Sequence, residues 1–197
     1  DCILGASVTL TADATGLTEA YGHFKTEAQN LDPDYAPRTV NTDGWTATQL
    51  AWLALFPAII VILCFLHAFL KIRSCCKRLK PHYQEIKTRV WAAYHAADPF
   101  TFMKEVALLN TWAILTLPQG KPLEAILKLV QKTPQFLKAY AYPSAYRTSN
   151  MLDRHMDAMD RYLASGRYFH GHLISAEYGI RAWVLLHNFQ PYCPRAK

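Results

Sequence analysis

At 197 residues the chain can bury one sizeable core. Its 51% hydrophobic and 18% charged residues exclude an intrinsically disordered chain. The net charge of +6 is unevenly placed: Lys71, Arg73, Lys77, Arg78, Lys80, Lys87 and Arg89 fall in one stretch with Glu85 alone against them, a patch suited to a polyanion or an anionic membrane surface, or simply a solvated helix face.

In chain order, "ILGASVTLTAD" alternates, with Leu4, Ala6, Val8, Leu10 and Ala12 on one side, and predicts a strand with one buried face. Leu17, Ala20, Tyr21, Phe24, Ala28 and Leu31 then recur at helical spacing, and Pro33 stops that helix. "RTVNTDG" is a short β-rich run closed by Asp43-Gly44. "WTATQLAWLALF" reads as a helix with Leu50, Leu53 and Ala54 inward. Strand, helix, strand, helix predicts a parallel βαβ unit.

The apolar run "FPAIIVILCFLHAF", residues 56–69, is followed by the basic "KIRSCCKRLK" and matches a membrane span with a positive flank on hydropathy alone. Pro57 argues against one continuous helix, and the β-branched "AIIVIL" has the length of a buried central strand. The preceding alternation also needs another parallel strand here, so no bilayer span is expected.

Beyond Lys71 the pattern is helical. "HYQEIKTRVWAAYHAA", "TFMKEVALLNTWAILTL", "PLEAILKLVQ", "MLDRHMDAMDRYL" and "LISAEYGIRAWVLLHNF" each carry apolar residues three and four apart. The five cysteines have no framework spacing, which predicts reduced thiols and an intracellular protein. The absence of an initiating Met before Asp1 and of a finishing element in "PYCPRAK" leads to the expectation of a fragment.

Several residues can carry chemistry. Asp43 sits at a predicted strand end, where α/β proteins bind ligands, although capping the next helix is the plainer role. Asp153, Asp157 and Asp160 share one helical face. Cys64 and His67 stand at i, i+3 spacing, but zinc would need two more ligands, for which "FHGH", with His170 and His172, is a loose match.

Taken in order, "VNTDGWTATQLAW", "FP", "CFLHAFLKIR" and "YRTSNMLDRHM" resemble insertion-sequence transposases of the DDE/D type, including the Mutator-like group. In those families the second catalytic Asp lies in a D-G at a strand end. A helix, an F-P and a C-x-x-H follow, and a helical insertion precedes the helix with the last acid. The resemblance implies Asp43 and Asp153 as catalytic, metal-holding acids expected to converge on one hydrated metal ion, with Asp153 in place of the usual Glu. It implies Cys64, His67 and Asn150 as active-site neighbours. The implied fold is α/β, an RNase H-like mixed sheet with a helical insertion, N-terminally truncated. Residues 2–70 would form part of the sheet region, 71–140 the insertion, and 141–190 the closing helices. The first acid would lie upstream of Asp1, leaving this piece inactive alone, with Asp13 as the fallback.

The implied cofactor is Mg²⁺ or Mn²⁺ and the implied partner is DNA, both transposon ends and target. A homo-oligomer on DNA in the bacterial cytoplasm, at the nucleoid and away from membranes, is the implied setting. Lys71, Arg73, Lys77, Arg78, Lys80, Lys87 and Arg89, with Tyr83 and Trp91, would line the DNA backbone. A single-pass membrane protein with a basic cytosolic flank, and a nucleic-acid-binding RNase H-like module without catalysis, are the alternatives.

Overall fold

A computed structural model of the chain describes residues 2–76, 79–169 and 171–190. The order of elements is α1 (Ala14–Leu31), β1 (Thr39–Thr42), α2 (Thr46–Leu55), β2 (Ile60–Leu63), α3 (Phe65–Cys75), α4 (Lys80–His95), α5 (Pro99–Thr116), α6 (Lys121–Gln131), α7 (Thr133–Leu137), a 3-10 turn (Lys138–Ala141), α8 (Asn150–Ser165) and α9 (Leu173–Phe189). Helix dominates, and the sheet among the described residues is the pair β1-β2 alone. The expected RNase H-like mixed sheet is therefore overturned.

The physical reason lies in the first dozen residues. A strand is stable only when a neighbour takes its backbone N–H and C=O groups. Residues 2–12 form no strand and pair with none among the described residues. Ile3, Ala6 and Val8 instead pack against Ile180, Trp183 and Val184 of α9, and Leu4 and Leu10 stay exposed. Asn188 takes the place of a neighbouring strand at one residue: its Oδ1 accepts from Ile3 N–H at 2.8 Å and its Nδ2 donates to Ile3 O at 2.7 Å.

The βαβ expectation holds locally. β1 and β2 are parallel, in the register Thr39–Ile60, Val40–Val61, Asn41–Ile62 and Thr42–Leu63. Only the last four residues of "AIIVIL" are strand, and among the described residues β2 pairs on one side, so it is not the central strand expected. Residues 56–69 divide between the turn that follows α2, β2 and the start of α3. No helix among the described residues is long and apolar enough to cross a membrane.

The chain divides into two units. One takes the described parts of residues 1–38, 45–59 and 152–197. Here α1 packs along α2, with Tyr21 stacked on Trp52 at 5.1 Å and Trp52 on Phe56 at 6.0 Å. Ala51 is the buried residue of α2, whereas Leu50 and Leu53 are exposed, so the expected inward face is rotated. Two aromatic rings on α1, Tyr21 and Phe24, draw Trp52 rather than the leucines to the contact. Leu31, expected inward, is also exposed.

The other unit, residues 39–44 and 60–151, holds the larger core. Ile86, Val90 and Ala93 of α4, Phe102, Val106, Leu109 and Ala113 of α5, and Leu123, Ile126 and Leu129 of α6 repeat at three- and four-residue steps, which turns each stripe to one side. Phe65, 2% exposed, lies at their meeting point, 5.1 Å from the Phe136 ring, 5.5 Å from Tyr94 and 6.1 Å from Phe102. Asp98 starts α5 by accepting from Thr101 N–H at 2.9 Å and Thr101 Oγ1–H at 2.6 Å. Those bonds, the hydroxyl's first, hold its carboxyl below the ordinary range.

Candidate functional site

Because β1 and β2 run parallel, the residues after each strand emerge at the same edge. The ladder continues one step past the strands, with Cys64 N–H donating to Thr42 O at 2.7 Å. Asp43 is therefore placed beside the start of α3 by backbone pairing. It is exposed, and the N-cap position of α2 falls two residues on, at Trp45. Gly44 turns the chain with φ of 90°, in the left-handed region that favours glycine. A β-carbon on Gly44 would stand 3.4 Å from Lys132 Nζ and 3.7 Å from Leu63 Cδ2.

Cys64 and His67 do more than neighbour this edge. Cys64, 2% exposed, is the N-cap residue of α3, and His67 lies in the first turn. Cys64 Sγ accepts from Ser149 N–H at 3.1 Å and from Ser149 Oγ–H at 3.3 Å. His67 Nδ1 is 3.2 Å from Cys64 Sγ and 3.2 Å from Ser149 Oγ. Thiol, imidazole and hydroxyl thus close a triangle around the residue that precedes α8.

The same segment is held at two further points. Asn41 Nδ2 donates to Tyr146 O at 2.7 Å, and Phe65 N–H donates to Arg147 O at 3.0 Å. The Arg147 guanidinium lies 4.6 Å from the Tyr140 ring, 5.1 Å from Tyr94 and 5.9 Å from Phe102, and its Nη1 donates to Tyr94 O at 2.9 Å. Burial pushes the Tyr140 hydroxyl's pKa up despite this cation, while its O–H donates to Ala96 O at 3.0 Å. Residues 146–149 are therefore fastened along the carboxyl edge of β1 and β2.

The other expected residues are placed as follows. Asn150 is exposed as the first residue of α8. Asp153 is half-buried in the first turn of α8 and belongs to the other unit. Asp157 and Asp160 are exposed, and Asp160 accepts from Tyr168 O–H at 3.3 Å. Asp13 does not end a strand: it caps α1, accepting from Gly16 N–H at 2.8 Å. His170 lies outside the described residues.

The described part of the basic stretch is divided between α3 and α4. Lys71 and Arg73 are exposed on either side of buried Ile72, and Lys87 is exposed on α4. Arg89 is engaged, with Nη2 2.8 Å from Glu85 Oε1 and its guanidinium 5.0 Å from the Trp112 ring. Trp91, half-buried, packs within 5.2 Å of Phe69 and 5.1 Å of Tyr94 against the core. Tyr83 also packs against that core. Lys77 and Arg78 lie outside the described residues, as does the side chain of Lys80.

Among the described residues no group of three or more His, Cys, Asp or Glu side chains could cage a metal ion. Mg²⁺ and Mn²⁺ do not require such a cage: Mg²⁺ is commonly held by one or two carboxylates, waters and substrate phosphates. An exposed hard carboxylate such as Asp43 fits that mode, and the buried thiol with its half-buried imidazole does not. Arg147 and Ser149 lie in "YRTSNMLDRHM", where the resemblance gives neither a role, and Lys132 lies in no motif. No family model, curated protein or solved structure matches the chain.

Proposed function

We propose that the chain takes part in DNA transposition, as a catalytic part of a DDE/D-type transposase. One observation supports this reading above the others. Stretches that carry the resemblance, far apart in sequence, are mutually bonded at one strand edge: Asn41 with Tyr146, and Cys64 and His67 with Ser149. The reading rests on this local cluster and not on the sheet.

In this reading the reaction has two balanced steps. Water adds to a phosphodiester phosphorus at the element's end, the P–O3′ bond breaks, and a 3′-hydroxyl is released with its proton. That hydroxyl then adds to a target phosphorus and displaces the target's own 3′-hydroxyl, so the number of phosphodiester bonds is conserved and no energy source is needed. Bound Mg²⁺ or Mn²⁺ would supply charge neutralisation at phosphate and a more acidic water. Asp43 and Asp153 are the carboxylates assigned to hold metal. Cys64 and His67 keep the 146–149 segment in place and ligate nothing. Lys71, Arg73 and Lys87 contact DNA phosphates without reading bases.

The test is strand cleavage of DNA carrying the element's ends by the full protein. Cleavage that needs Mg²⁺ or Mn²⁺ and falls to background in Asp43→Ala and Asp153→Ala is expected. Cleavage that survives both substitutions, or that never occurs, removes the reading.

A further inference from the structure

Lys132 occupies a place that the resemblance does not assign. Its backbone is fixed where α6 meets α7. The N–H donates to Lys128 O at 3.3 Å and Leu129 O at 3.1 Å, and the carbonyl accepts from Gln135 N–H at 3.0 Å and Phe136 N–H at 3.2 Å. From that joint the exposed side chain extends to the Asp43-Gly44 turn, where its Nζ comes within 3.4 Å of the position of a β-carbon on Gly44. Glycine at 44 allows the φ of 90°, and a β-carbon there would meet the ammonium in ordinary contact.

The plain role for such a lysine is an ion pair with a nearby carboxylate, and exposed pairs contribute about 0–1 kcal/mol to stability. A cation at the carboxyl edge of paired parallel strands, close to the Asp43-Gly44 turn, has a stronger use. Ligands of α/β units bind at this edge. A phosphodiester brought to Asp43 carries a negative charge that the carboxylate alone would repel. A lysine ammonium is a compact point charge suited to a non-bridging phosphate oxygen.

We infer that Lys132 is a phosphate-contacting residue of the Asp43 site, and that the ligand it meets is the sugar-phosphate backbone of DNA. This rests on the reading given under "Proposed function". Unlike Lys71, Arg73 and Lys87, which are spread over α3 and α4, Lys132 belongs to the strand edge itself.

The test is the salt dependence of binding, measured with duplex DNA and the 197-residue chain at several salt concentrations. Each phosphate contact contributes a slope of about 0.9 in the logarithm of affinity against the logarithm of salt. Lys132→Gln is expected to weaken binding and flatten the slope by about that amount, and Lys132→Arg to restore the slope. Both variants should keep the wild-type thermal midpoint, since the side chain is exposed. Salt-dependent binding by wild type with an unchanged slope in Lys132→Gln overturns the inference alone. Absence of salt-dependent binding by wild type overturns the underlying reading and the inference with it.

Discussion

Arg147 concentrates several interactions in one side chain. Its guanidinium is placed against three aromatic rings and donates to a backbone carbonyl, while its own carbonyl anchors Phe65. Desolvated cation–π contacts contribute about 2 kcal/mol and charged hydrogen bonds about 1.5–3 kcal/mol, with overlap between them. Arg147→Ala should therefore lower unfolding free energy by about 2–3 kcal/mol in a denaturant titration. Arg147→Lys should recover little, because a compact ammonium cannot stack flat on the rings. Ser149→Ala, which leaves the backbone donor in place, should cost about 1 kcal/mol. Asp43, Cys64 and His67 were legible in the sequence because D-G and C-x-x-H are local patterns. Ser149 was not, because its partner Cys64 lies 85 residues away and serine has no preference that reveals a thiol contact. Lys132 was hidden for the same reason.

At the scale of elements, helices with two cooperating signals were the readable ones. α6 opens at Gly120 with Pro122 beside it and buries Leu123, Ile126 and Leu129 at matching steps. α5 is capped by Asp98 with Pro99 at its first position. The cap gives a pH signature. A carboxyl held below its ordinary value adds stability that is complete above the unfolded-state range, about 3.9, and is lost as pH falls through the lower folded-state value. Asp98→Ala should lower the thermal midpoint at pH 7, with the gap from wild type closing below about pH 4. A gap that persists into strong acid would show that the cap does not act through its charge. Strands were less legible. The alternation of residues 2–12 describes a chain with one half-buried side but not whether a neighbour exists to pair with it, and pairing defines a strand. At β2 the β-branched run was decisive against a continuous span because Pro57 had already ended the helix before it. The rings around Phe65 tie α3, α4, α5 and α7 into one core. Phe65→Ala should cost about 3–5 kcal/mol in the same titration, far more than any substitution on the exposed face of α3.

Across the whole molecule, local order and global fold were unequally recoverable. The sequence of motifs led to a mixed sheet, whereas the described chain is helical with one parallel strand pair. A short β-rich segment such as "RTVNTDG" forms the same β1 whether it belongs to a wide sheet or to a pair, so nothing within it reports the number of neighbours. What survives is the edge itself: Asp43 after β1, Cys64 after β2, and the 146–149 segment fastened across both. The central claim is that Asp43 holds a divalent metal there, and Fe²⁺ substituted for Mg²⁺ in the DNA-bound chain tests it most directly. With ascorbate and peroxide, bound Fe²⁺ generates hydroxyl radicals that cut the polypeptide close to the metal. Backbone cuts next to Asp43 are expected, suppressed by excess Mg²⁺ and absent in Asp43→Asn. Cuts that do not fall near Asp43, or that persist unchanged in Asp43→Asn, would contradict a metal at this strand edge.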